Sequence, residues 1–186
     1  MTRIVAGRAG GRRIAVPPGR GTRPTSERVR EALFSTLDTL IEIAGSSVVD
    51  LYAGSGAIGL EALSRGASQV LFVESDPRAA GTIRDNLRAL GLPGGQVRVD
   101  RVPRAVATGP PAGPYRVVFA DPPYALADVE VDAVLASLVA HAWLAPEAVV
   151  VLERRHGSGP PVWPTPLTGV KERRYGDAVL RYGLAP

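Results

Sequence analysis

Short apolar runs alternate along this chain with stretches of helical period. The runs at Ser47 to Leu51, Gln69 to Val73, Val97 to Asp100, Val117 to Ala120 and Val149 to Glu153 have the length and bounding residues of buried strands. Between Val29 and Ile41 the apolar residues recur every four positions through Leu33 and Leu37, with Phe34 and Leu40 widening the stripe, which predicts an amphipathic helix. Pro24-Thr25 reads as its entry, with Thr25 or Ser26 as cap and Glu27 in the first turn. Arg28 and Arg30 fall mostly off the stripe, free to meet phosphate or to pair with nearby acids.

Further helices are predicted over Leu60 to Arg65, from Pro77 or Arg78 to Leu90, and over Asp128 to Ala142. Ile83, Leu87 and Leu90 are buried on the second and Val131, Val134, Leu135 and Leu138 on the third, while Gly91 and Pro93 stop the second. Arg101 to Pro114 predicts only a short helix followed by a loop. After the proline-rich loop Gly157 to Pro166, Lys171 to Tyr175 and Ala178 to Tyr182 form a hairpin around Gly176-Asp177. The expected architecture is α/β: a doubly wound, seven-stranded, mostly parallel sheet with helices on both faces and an antiparallel pair at its end.

A chain of 186 residues suffices for one compact core. It has no apolar stretch long enough to span a bilayer and no signal-peptide core at its start, so a cytoplasmic protein is expected. With no cysteine and only His141 and His156, far apart, no metal site is expected.

Charge is unevenly spread. Residues 1–30 hold eight arginines against the single acid Glu27, a balance of +7, while the remainder balances to −3 and the whole chain to +4. The apolar residues Ile4, Val5, Ile14 and Val16 around Gly7, Gly10 and Gly11 suggest a small N-terminal hairpin over 1–22, ahead of the main domain over 23–186, with a solvated tail as the alternative. Arg3, Arg8, Arg12, Arg13, Arg20, Arg23 and Arg28 are the candidates for contacting nucleic-acid phosphate, with strong salt dependence and little sequence selectivity.

Two segments carry candidate chemistry. After Ser47 to Leu51 comes Tyr52-Ala53-Gly54-Ser55-Gly56-Ala57-Ile58-Gly59 and then a helix, the strand–glycine turn–helix order of nucleotide-binding folds. Asp50 stands four residues before the first glycine, and Glu74 twenty beyond it, the distance at which an acid meets ribose hydroxyls. A dinucleotide pyrophosphate disfavours a nearby carboxylate, whereas the sulfonium and ammonium of S-adenosylmethionine favour one, so Asp50 tilts the choice toward the methyl donor. The second segment is Asp121-Pro122-Pro123-Tyr124. Its prolines lack N–H groups, so carbonyls and the Asp121 carboxylate form an acceptor-only site suited to an exocyclic amine, and Tyr124 can stack on the base that carries it. Asp-Pro-Pro is equally an ordinary strand-to-loop turn signal.

Taken together, Asp50 with its glycine loop, Glu74 and Asp121 to Tyr124 resemble class I S-adenosylmethionine-dependent amino-methyltransferases. Arg3 to Gly7, Gly11 to Ile14, and above all Arg23-Pro24-Thr25-Ser26-Glu27-Arg28-Val29-Arg30-Glu31-Ala32-Leu33-Phe34 resemble the RsmD family, bacterial enzymes that methylate N2 of one guanine in 16S ribosomal RNA. Phe72 to Asp76, Asn86-Leu87 and Tyr175 to Asp177 also match, so the resemblance covers essentially the whole chain. It implies a Rossmann-like class I methyltransferase fold, S-adenosylmethionine as cofactor, and 16S rRNA within an assembled or assembling small subunit as partner. It implies that Asp50, Ala53, Gly54 and Gly56 hold the amino acid end of the cofactor, that Glu74 holds the ribose with Ser75 beside the base, and that Asp121, Pro122 and Tyr124 are catalytic. The segment Asp100 to Pro103 departs from the family pattern and leaves the adenine contact unassigned. The alternatives are an amino-methyltransferase acting on DNA adenine or on protein glutamine, a nicotinamide-dependent oxidoreductase, and a non-catalytic RNA-binding module.

Overall fold

The computed structural model describes residues 2–17 and 26–186. The main sheet is built from β3 (Ser47–Leu51), β4 (Gln69–Glu74), β5 (Gly95–Val99), β6 (Tyr115–Ala120), β7 (Leu144–Arg155), β8 (Thr168–Tyr175) and β9 (Ala178–Leu184). Its strands lie in the order β5-β4-β3-β6-β7-β9-β8, parallel from β5 through β7 and antiparallel at the β7–β9 and β9–β8 pairs. Seven strands, mostly parallel and closed by a hairpin, match the expectation. From β3 the chain winds outward to β4 and β5 and then returns to β6 on the other side of β3. The β3–β6 boundary is therefore the topological switch point, where open α/β sheets leave a crevice beyond the carboxyl ends of their strands.

Helices cover both faces. One apolar cluster joins Leu33, Phe34 and Leu37 of α1 (Glu27–Leu37), Leu60 and Leu63 of α2 (Ala57–Ser64), and Ile83 of α3 (Pro77–Leu90) to Phe72, Phe119 and Val151 of the sheet. The other joins Val102 and Val106 of α4 (Val102–Val106) and Leu135 and Leu138 of α5 (Asp128–Ala140) to Val118 and Val150. Helix ends follow local chemistry: Ser26 accepts the Val29 N–H at 3.2 Å, Asp76 accepts that of Arg78 at 2.9 Å, and Gly91 ends α3 in the left-handed region. The cap expectation at Thr25 falls outside the described residues. His141 follows the last turn of α5 and is exposed.

At the N-terminus β1 (Thr2–Arg3) pairs antiparallel with β2 (Arg13–Ile14), a much shorter hairpin than the apolar residues suggest, with a 3-10 turn at Gly7–Ala9. Ile4, Ala9 and Ile14 are buried in the same cluster as α1 and α2, so this arm shares the core of the sheet. The attachment is polar as well. Glu61 on α2, fully buried, accepts the Val5 N–H at 2.7 Å and the Ala6 N–H at 2.9 Å. Gly7 lies so close to α2 that a Cβ there would stand 2.0 Å from the Ser64 carbonyl oxygen, which excludes any side chain. Arg30, expected off the apolar stripe, is instead fully buried: it pairs with Glu61 at 3.5 Å and donates to the Arg3 carbonyl.

Candidate active site

The switch point collects acids. Asp50 lies on β3, Glu74 ends β4, Asp121 follows β6, and Glu153 lies near the end of β7. The β6–β7 register pairs Ala120 with Leu152, which puts Asp121 and Glu153 side by side on one face, and both line a small cavity with Leu33, Ile58 and Phe119. Asp50, Glu74 and Glu153 are buried.

Glycines shape the loop between β3 and α2. Gly54 and Gly56 take φ of 59° and 77°, and Gly56 caps α2 in the left-handed region. Gly59 packs α2 onto β4: a Cβ there would lie 2.3 Å from the Phe72 ring, so only glycine permits this helix–strand distance. The acids and the loop hold each other. Asp50 Oδ2 accepts the Gly59 N–H at 2.9 Å, and Glu74 accepts those of Gly54 and Asp76, each at 2.8 Å. Ser75 is exposed beside Glu74, with its hydroxyl 3.4 Å from Glu74 Oε1. Ala53 is buried under the loop, its N–H bonded to the Val73 carbonyl at 3.1 Å.

Burial and like charge govern the electrostatics. Burial raises the Asp50 carboxyl to about 7, against the Gly59 hydrogen bond and with help from Glu74. Asp121 is raised well above the usual carboxylate range by burial, by Glu153 and by Asp50, with Arg154 opposing. The crevice is thus acidic, with burial first and acidic neighbours second in raising Asp50 and Asp121. It fits a cationic ligand and disfavours a pyrophosphate. Tyr124, 49% exposed, presents its ring beside this crevice.

The structure also brings in residues to which the sequence alone assigns no role. Tyr52, facing the Asp121 strand end across the β3–β6 pair, has φ of 61°, a left-handed conformation costly for an aromatic residue and commonly kept at functional sites. Its buried hydroxyl has no hydrogen-bond partner among the described residues. Asn86, buried, donates to the Ala15 and Ser55 carbonyls at 3.0 and 3.3 Å, linking the N-terminal arm to the glycine loop. Arg154 reaches the segment after Asp121 from the neighbouring strand. Asp100, the departure from the family pattern, is held by its own surroundings: Arg98 donates to it at 2.9 Å, Arg104 pairs with it at 3.4 Å, and it accepts the Arg101 N–H at 2.9 Å. The Arg98 hydrogen bond leads in holding its carboxyl below the usual range.

Among the candidate RNA-contacting residues, Arg8, Arg13 and Arg28 are exposed. Arg3 is exposed too, but pairs with Glu27 at 3.2 Å. Arg12 turns back onto the protein, donating to the Leu90 carbonyl at 2.8 Å and to that of Ala89, where it serves the C-terminal end of α3. Arg20 and Arg23 lie outside the described residues. No group of acids and histidines among the described residues could hold a metal ion, and no helix there is long and apolar enough to cross a membrane.

A parallel sheet extended by an antiparallel hairpin, with its crevice at the switch point, is the Rossmann-like fold of class I methyltransferases. The solved structure of the yhhF protein from Escherichia coli matches it with a TM-score of 0.87 and 31% identity, over 99% of this chain and 97% of that one. Within that class the chain belongs to the family described as Conserved hypothetical protein 95, whose model matches residues 2–183. Ribosomal RNA small subunit methyltransferase D of Escherichia coli (strain K12) is 35% identical over 179 residues, covering 96% of this chain and 87% of that protein. The protein of the same name from Haemophilus influenzae is 35% identical over 181 residues, 96% of this chain and 91% of its own.

Proposed function

We propose that the protein transfers a methyl group from S-adenosylmethionine to the exocyclic N2 amine of a specific guanine in 16S rRNA of the small ribosomal subunit. The observation that carries this reading is the pair Asp50 and Asp121 across the switch point, both held toward the neutral form by burial and by acidic neighbours. A sulfonium beside them favours their ionised forms. The names of the relatives at 35% identity point to small-subunit rRNA as substrate, and the exposed arginines of the arm suit its phosphates.

When bound, S-adenosylmethionine supplies a methyl group whose bond to sulfur breaks as the bond to nitrogen forms. The chain's own residues do the rest. Asp50, with Ala53, Gly54 and Gly56, receives the ammonium end of the cofactor. Glu74, which accepts the Gly54 and Asp76 N–H groups, receives the ribose hydroxyls, and Ser75 lies where the base begins. The guanine amine is a poor nucleophile because its lone pair is drawn into the ring, so positioning carries much of the catalysis. The Asp121 carboxylate and the Pro122 carbonyl accept its two N–H groups and aim the lone pair at the methyl. Asp121 also stabilises the positive charge that develops on nitrogen, and the methylated amine, acidified by that charge, then releases a proton to water to restore neutral guanine. Tyr124 stacks on the flipped base, worth on the order of 1 to 3 kcal/mol.

Titration with S-adenosylmethionine and with NAD, followed by incubation with methyl-labelled cofactor and small subunits that lack the modification, tests this. Binding of the methyl donor alone and label in 16S rRNA is the expected result. NAD binding, or label in DNA or protein, contradicts it.

A further inference from the structure

We propose that Arg154 is a positioning residue for the catalytic segment, its guanidinium fixing the backbone on both sides of Tyr124 and thereby the placement of Asp121 and the ring. The inference rests on the amine-methylating role assigned above to Asp121 and Tyr124. Arg154 lies on β7, next to β6, and is buried. It donates to the Leu126 carbonyl at 2.8 Å, to Asp128 Oδ1 at 2.9 Å and, more weakly, to the Pro123 carbonyl at 3.4 Å. The Pro123 carbonyl also accepts the Leu126 N–H at 2.9 Å, so a tight turn around Tyr124 is tied to the sheet through one side chain.

The segment needs such an anchor. Pro122 and Pro123 have no N–H to offer a neighbouring strand, so the sheet ladder stops at the point where the chemistry is placed. A planar guanidinium presents several donors at fixed spacing and can hold two carbonyls and a carboxylate at once, whereas a lysine ammonium is a point charge on a flexible stem. The donors go to residues 123, 126 and 128, and the Pro122 carbonyl assigned to the substrate lies outside the clamp.

Arg154 is also not optimised as a structural ion pair. Asp128, at the first turn of α5, is half exposed, and the buried Arg154 Nε has no hydrogen-bond partner among the described residues. A buried guanidinium in that state is a weak source of stability, which points to position as what it contributes. Its charge also opposes the rise of the Asp121 carboxyl.

The test combines Arg154→Met, Arg154→Lys and Asp128→Ala, read by single-turnover methyl transfer, by titration of S-adenosylmethionine, and by hydrogen exchange of the amides over 121–128. R154M is expected to slow transfer on the order of 10²-fold, the scale of a misplacement of about 1 Å, with cofactor affinity within about twofold of the parent. R154K is expected to stay at least about tenfold slow, because one ammonium cannot span the contacts. Both should speed exchange at Leu126, and D128A, which leaves the carbonyl contacts in place, should have much the smaller effect on transfer. Transfer by R154K at the parent rate overturns the proposal, as does unchanged exchange at Leu126 in either Arg154 variant. Should R154M fail to fold, R154K and the exchange measurement still decide. Absence of methyl transfer by the parent protein is a different result: it removes the proposed function, while hydrogen exchange still judges the clamp.

Discussion

Asp121 and Asp50 look alike in the sequence, each an acid at the end of an apolar run, and their surroundings give them different titration consequences. In the proposed mechanism Asp121 works as a carboxylate, the form that offsets the charge developing on nitrogen, and burial with Glu153 and Asp50 raises its carboxyl. The rate of methyl transfer should therefore rise with pH through an acid limb lying above the ordinary carboxylate range. Asp121→Asn should remove that limb along with most of the rate; a limb left in place in that variant would assign it to another group. Asp50 is raised from 3.8 to about 7, a preference for the neutral form of about 4 kcal/mol. Between those values the folded protein holds a proton that the unfolded chain has lost, so this group's contribution to stability declines as pH rises through that window. A bound ammonium must meet the ionised form, so affinity for S-adenosylmethionine should fall by up to about tenfold for each pH unit below 7. Calorimetric titration at several pH values measures this, and an affinity flat from pH 5 to 8 would detach Asp50 from the cofactor.

At the level of elements, the parallel strands and the helices between them were legible because each apolar run is short and bounded. The boundaries that differ have physical reasons. β7 runs from Leu144 to Arg155 rather than from Val149, because Pro146 and Glu147 interrupt the apolar pattern where the β6–β7 register shifts and Glu147 takes φ of 57°. α2 begins at Ala57, immediately after the left-handed Gly56, earlier than the leucines alone suggest. Arg30 was not legible as a buried residue: its partner Glu61 is thirty-one positions away, and only the packing of α1, α2 and the N-terminal arm unites them. The same holds for Arg154, whose role depends on which strand lies beside β6. A repeated signal was available for Glu153, since the runs ending at Asp50, Glu74, Asp100, Asp121 and Glu153 all finish in an acid, and four of these acids meet at the crevice. The Arg30–Glu61 pair gives a prediction at this scale. Glu61→Ala leaves a buried guanidinium without its counter-charge and removes the acceptor for Val5 and Ala6, so denaturant unfolding should show a loss of about 3 to 5 kcal/mol. A loss below about 1 kcal/mol would show that Glu61 is not what holds the arm.

For the whole molecule, the arm and the crevice divide the work. The arm carries most of the excess positive charge, yet its core residues and its bonds to Glu61 and Asn86 fasten it to the helices that flank the glycine loop. Exposed Arg8, Arg13 and Arg28 should supply affinity without selectivity. Replacing all three with alanine should weaken rRNA binding and lower the slope of log affinity against log salt by about 2 to 3, with cofactor affinity unchanged; an unaltered slope would move the RNA-binding face elsewhere. The most direct test of the account is the identity of the modified nucleoside. Small subunits lacking the modification are treated with the protein and S-adenosylmethionine, the 16S rRNA is digested, and the nucleosides are separated by mass spectrometry. The account predicts N2-methylguanosine at one site with the parent protein and none with Asp121→Ala; methylation of adenine, of a ring nitrogen or of a ribose hydroxyl would contradict it.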